Sequence, residues 1–113
     1  MLIGELNSTL VEKIPKDWLE HYYKKSGDTS LSGDFLVLIS NVGFFTFQHD
    51  TNENILYLHN VYGNGKKLFE VVKEVKNKLK ASKVIFATKR NFKTFERKYK
   101  AKVIGYIMEL DIG

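Results

Sequence analysis

The strand-to-helix junction Ile55-Leu-Tyr-Leu-His59-Asn-Val-Tyr-Gly63-Asn64-Gly65-Lys66-Lys67-Leu68 holds the residues with the clearest chemistry in the chain. A strand that runs into Gly63-Asn64-Gly65 and then a helix leaves several backbone N–H groups unpaired at the helix start. Those donors, with the positive end of the helix dipole, suit a phosphate or pyrophosphate. His59 stands on the strand that enters this turn. Its ordinary pKa near ~6.5 suits a proton acceptor at neutral pH. A half-buried histidine bonded to a neighbour is the alternative reading, since no carboxylate partner is visible nearby. His21 and His49, on a helix and in a turn, read as surface residues, and three scattered histidines make no metal signature.

Charge is distributed unevenly along the chain. Residues 66–102 hold fourteen Lys/Arg against three acids, a balance of +11 that leaves −6 for the rest and +5 overall. Such a stretch attracts a polyanionic cofactor, anionic lipid or nucleic acid, or simply solvates a lysine-rich helix surface. The absence of cysteine excludes disulfides, thiolate catalysis and Cys-based metal sites. No apolar run reaches the ~20 residues that span a bilayer. The segment Met1–Leu6 lacks the basic and apolar regions of a signal peptide, so a cytoplasmic protein is expected. With 113 residues and 43% hydrophobic content, one globular domain over residues 1–113 is expected. A composition rich in Lys, Asn, Ile and Phe is that expected of an AT-rich genome, such as a phage or a low-GC bacterium.

The elements that must position these residues follow from periodicity. Residues 2–6 read as a short strand. Residues 14–23 read as a helix, with Pro15 in its first turn and an apolar face of Trp18, Leu19, Tyr22 and Tyr23. A loop over 26–33 follows. The run at 35–39 predicts a strand buried on both faces. Residues 42–48 and 55–62 predict two further strands joined by a polar turn at 50–54, which completes an antiparallel meander. Residues 66–80 give the clearest helix, with Leu68, Val71, Val72, Val75 and Leu79 on one face and a Glu74–Lys78 pair on the other. Residues 83–88 predict a strand parallel to 55–62. A shorter helix at 91–99 and a single last strand at 102–110 complete the order. The class is α/β (α+β): a mixed sheet of about six strands with about three helices.

This order resembles the GNAT fold of N-acetyltransferases over nearly the whole chain. Its sharpest part is the family's acyl-CoA loop, Gln/Arg-x-x-Gly-x-Gly/Ala, matched here by Asn60-x-x-Gly63-x-Gly65. The resemblance implies an acyl-CoA cofactor, acetyl-CoA first, whose pyrophosphate lies on the amides of Gly63, Asn64, Gly65, Lys66 and Lys67. The two glycines are expected to supply positive φ and close backbone approach. The backbone of Leu58, His59 and Asn60 would pair with the pantetheine arm at a splay between the parallel strands. His59 takes the place of the general base. Asn91 matches the asparagine that opens the last helix, on the cofactor side. Tyr99 is the candidate acid, one position beyond the family's spacing. The chain departs from the family at Asn60, in a shorter loop, in its one N-terminal helix and in its single last strand.

The implied activity is transfer of an acetyl group from acetyl-CoA to an amine acceptor of unknown kind. Two other readings stay open. One is a GNAT-like binding or structural protein that has lost catalysis. The other is a nucleic-acid-binding module built on Lys89, Arg90, Lys93, Arg97, Lys98, Lys100 and Lys102, with Phe92 and Tyr99 interleaved. No oligomeric state can be read.

Overall fold

The computed structural model describes residues 1–28, 30–31, 33–87, 101–104 and 107–110. Seven strands form one sheet in the order β1-β2-β3-β4-β5-β7-β6. The strands are β1 (Leu2–Glu5), β2 (Leu36–Ile39), β3 (Gly43–Asp50), β4 (Ile55–Gly63), β5 (Lys83–Ala87), β6 (Ala101–Ile104) and β7 (Ile107–Leu110). The helices are α1 (Ser8–Val11), α2 (Lys16–Ser26) and α3 (Gly65–Leu79). β1 through β4 pair antiparallel, and α3 carries the chain over to β5, which lies parallel to β4.

The sheet separates two apolar layers. One face of β2–β5 presents Leu38, Phe45, Phe47, Leu56, Leu58, Val84 and Phe86 to Leu68, Val72 and Val75 of α3. The other presents Val37, Ile39 and Phe44 to Ile14 and Tyr22, with Leu10, Trp18, Leu19 and Tyr62 packed around them. Alternation along β2 and β3 therefore feeds two cores, which is why residues 36–39 and 43–47 read as unbroken apolar runs.

Local chemistry sets the boundaries. Asn64 caps α3, its Oδ1 accepting from the Lys67 amide at 3.2 Å. Lys80 closes the helix in the left-handed conformation. At the β3–β4 turn, Asp50 Oδ1 accepts from the amides of Asn52 and Glu53. Asn54, at φ 58°, accepts through Oδ1 from His49 Nε2 (2.9 Å) and donates through Nδ2 to the Lys80 carbonyl. Its own carbonyl accepts from the Ser82 amide and hydroxyl. The β3–β4 turn and the end of α3 are thus tied together through one asparagine.

Several sequence expectations need correction. The N-terminal segment holds two helices, because Asn7 caps the single turn α1 by accepting from the Leu10 amide at 3.0 Å. Pro15 is the residue before α2 rather than part of its first turn, at ψ 134°. The stretch 102–110, expected as one strand, is two antiparallel strands that pair Ala101 with Leu110 and Ile104 with Ile107. Among the described residues the sheet accordingly has seven strands, in keeping with the expected mixed sheet of about six. On α3, among the described residues, the ion pair joins Glu70 to Lys73 at 3.6 Å instead of Glu74 to Lys78. His49 lies on β3, bonded to Asn54, rather than free in a turn. The helix expected at 91–99 lies outside the described residues.

Candidate functional site: the β4 bulge and the start of α3

β4 and β5 run side by side from the Ile55–Lys83 pair to the Leu58–Phe86 pair. Beyond Leu58, β4 continues for five residues to Gly63 with no recorded β5 partner among the described residues. A register shift lies on the opposite side of β4. Phe47 pairs with Leu58 and Phe45 pairs with Val61, so His59 and Asn60 together face Thr46 alone. This two-against-one bulge bends and twists the strand that carries it. It sits directly after the last β4–β5 pair among the described residues, Leu58–Phe86.

The bulge is held by side chains. Thr46 is fully buried, at 0% exposure. Its Oγ1 accepts from the Asn60 amide at 3.0 Å and donates to Asn60 Oδ1 at 2.6 Å. Asn60 Nδ2 donates to the Tyr22 hydroxyl at 2.7 Å, and that hydroxyl donates to Asp28 Oδ2 at 2.9 Å. Burial raises the Tyr22 pKa above the usual phenol value; the Asn60 bond opposes the rise and Asp28 adds to it.

His59 is exposed on one side and lies against the Phe35 ring on the other, with centroids 4.0 Å apart. Partial burial lowers its pKa below the ordinary histidine value. Among the described residues no carboxylate bonds to it. Downstream of the bulge, Tyr62 packs between Phe44 and Trp18, and its hydroxyl lies 3.3 Å from His21 Nδ1. His21 is therefore joined to β4 rather than isolated.

β4 then enters α3 through the glycine turn. The Asn64 amide donates to the Val42 carbonyl at 3.0 Å, and the Lys67 amide is taken by Asn64 Oδ1. Among the described residues no acceptor is bonded to the amides of Gly65 and Lys66, which open the helix. Gly63 has φ 142° and pairs with Gly43. Gly65 has no positive φ, contrary to the expectation for both glycines. Gly65, Lys66 and Lys67 are exposed. Leu58, His59, Asn60, Gly63, Asn64, Gly65, Lys66 and Lys67 thus form one continuous path from the end of the parallel pairing to the first turn of α3. Asn91 and Tyr99 lie outside the described residues.

Sequence reasoning missed Thr46, Tyr22 and Asp28. The signal for Thr46 was a lone polar residue inside Phe44-Phe45-Thr46-Phe47. Nothing local marks its partner fourteen residues away.

No protein-family model matches the sequence, and no curated protein matches it. Among solved structures, the chain is similar to aminoglycoside 6'-acetyltransferase type Ii, with a TM-score of 0.58 and 13% identity over 100% of this chain and 99% of that one. A weaker likeness is to Tetrahymena GCN5, with a TM-score of 0.40 and 11% identity over 91% of this chain and 79% of that one. With its antiparallel meander, parallel β4–β5 crossover through α3 and full-length superposition on the first of these, the chain adopts a GNAT-like fold.

Proposed function

We propose that this chain is an acyl-CoA-dependent N-acyltransferase that moves an acetyl group to an amine. The observation that carries the reading is the course of β4: among the described residues its parallel pairing with β5 runs to Leu58–Phe86, and β4 then bulges at His59 and Asn60 and runs directly into the capped start of α3. The stretch of β4 after Leu58, at His59 and Asn60, would lie along a pantetheine arm, although the Asn60 amide itself is taken by Thr46 Oγ1. The Gly65 and Lys66 amides and the exposed Lys66 and Lys67 suit its pyrophosphate. Asn64 contributes by capping the helix and fixing that turn, and Gly63 by letting β3 and β4 approach.

When bound, acyl-CoA supplies an acyl group activated as a thioester. The acceptor nitrogen forms the new C–N bond as the C–S bond breaks. His59, exposed at the bulge and neutral at pH 7 because its pKa is lowered, accepts the proton released by the amine. Tyr99 is the proposed donor to the departing thiolate, and Asn91 a proposed cofactor-binding residue. The acceptor reaches the bulge from the face of α2, where Tyr22, Asp28 and Tyr62 lie.

A second reading, a GNAT-like binding protein without catalysis, is favoured by one observation. Among the described residues, no carboxylate is bonded to His59 to orient its ring. Calorimetric titration with CoA and acetyl-CoA tests the first claim, since a ligand bound only by the native state also raises the melting temperature. Saturable binding supports the cofactor site, and no heat at millimolar CoA overturns it. Turnover of an amine panel then separates the enzyme from the binding protein. A gel shift at low salt, lost as salt rises, would instead mark the basic stretch 66–102 as a nucleic-acid surface.

A further inference from the structure

A polar chain runs through the bulge from Thr46 to Asn60, Tyr22 and Asp28. Thr46 lies between Phe45 and Phe47, both in the apolar layer under α3. A valine would fill the same volume, yet a hydroxyl stands there and makes two bonds to one residue. A bulge takes a backbone amide out of the strand ladder, and a buried amide needs another acceptor. The Thr46 hydroxyl is that acceptor for Asn60. Asn60 Oδ1 takes the Thr46 proton in return, and its Nδ2 is directed to Tyr22 on α2. The Asn60 side chain is therefore held from the sheet and from the helix at once.

We propose that Thr46 and Tyr22 are positioning residues. Together they hold Asn60, and with it the bulge in β4 that follows the Leu58–Phe86 pair. Through the Tyr22–Asp28 bond they also link the bulge to the segment after α2. The consequence for ligand binding rests on the acyl-CoA reading above; the consequence for the bulge does not.

Thr46→Val removes the hydroxyl at constant shape, Thr46→Ser restores it, and Tyr22→Phe removes the phenol oxygen and keeps the ring. Two readouts are needed on folded protein: CoA affinity by calorimetry, and hydrogen exchange of the Asn60 amide by NMR. Thr46→Val is expected to weaken CoA binding about tenfold and to speed Asn60 exchange by about tenfold. Tyr22→Phe should move both in the same direction by about threefold. Thr46→Ser should return both to within about twofold of the parent, a rescue that a purely packing role for the methyl group would not give. If Thr46→Val does not fold, Tyr22→Phe carries the test. Folded variants with parental exchange at Asn60 would overturn the proposal, as would rescue failing in Thr46→Ser. A parent that binds no CoA would sink the functional reading alone, and exchange at Asn60 would still decide who holds the bulge.

Discussion

Gly43 and Gly63 face each other across β3 and β4 so closely that a Cβ on either would meet the backbone of the other. A Cβ on Gly63 would come within 2.3 Å of the Val42 carbonyl oxygen, and one on Gly43 within 2.1 Å of the Tyr62 carbonyl oxygen. Both have positive φ, 153° and 142°. This pairing draws the end of β4 against the start of β3, where the Asn64 amide reaches the Val42 carbonyl and α3 begins. Gly63 thus serves the frame of the site.

Gly63→Ala should therefore cost stability whether or not any ligand binds. Strain and the backbone clash together predict a loss of at least about 2 kcal/mol. Gly43→Ala should behave alike. Urea denaturation of the two variants checks this. Stability within error of the parent in both would show that the close approach does not constrain the fold.

Gly65 makes the opposite prediction. It opens α3 without positive φ and is exposed, so Gly65→Ala should be neutral or stabilise by about 0.5 kcal/mol through the unfolded chain. Gly65→Val should still fold, yet weaken CoA about tenfold or more by crowding the Gly65 and Lys66 amides. Parental CoA affinity in Gly65→Val, measured by calorimetry, would move the pyrophosphate away from this turn.

These two glycines show where the sequence was legible and where it was not. The Gly-x-Gly pattern marked a strand-to-helix junction, and the structure has one there. The pattern cannot distinguish a glycine needed by its neighbour Gly43 from one beside a free helix amide. The strands 36–39, 43–50, 55–63 and 83–87 and helix α3 were readable because burial imposes long apolar runs or a single apolar face. α1 was missed because one capped turn has too few residues to show a period. The pair β6 and β7 merged into one expected strand because the apolar residues on both sides of Gly105 carry no polar break. The bulge at His59 and Asn60 depends on how many residues β3 offers opposite, and that count exists only once the strands are paired.

Asn54 offers a test of the structural frame away from the site. Its side chain joins His49 to the Lys80 carbonyl, and its φ of 58° suits glycine as well as asparagine. Asn54→Gly keeps the conformation and removes both side-chain bonds, so a loss of about 1–2 kcal/mol is expected. Asn54→Ala should cost more, because alanine resists positive φ. If thermal unfolding places the glycine variant below the alanine variant, backbone conformation is not what asparagine supplies there.

His59 links the fold to the proposed chemistry through pH. Its pKa is lowered by partial burial, so the unfolded chain binds the proton more readily than the folded one. Its contribution to stability is therefore unfavourable at pH below the folded pKa, and is relieved as pH rises through the ordinary value near ~6.5. Relative to the parent, His59→Gln should flatten the stability change between pH 5 and 8, read as melting temperature at each pH. In the same window a base at His59 gives a rate that rises from acid pH and levels off before neutrality, because the folded histidine loses its proton early. His59→Ala should then lower kcat by about 10²–10⁴-fold and leave CoA affinity in place. Tyr99→Phe, which keeps the ring, tests the proton donor in the same assay. An NMR titration of the three histidines assigns the pKa directly, and a His59 value above that of a free histidine would contradict the desolvated setting against Phe35. An unchanged kcat and pH profile in His59→Ala, with CoA still bound, would remove the base role and leave orientation of the amine at the bulge as the source of rate.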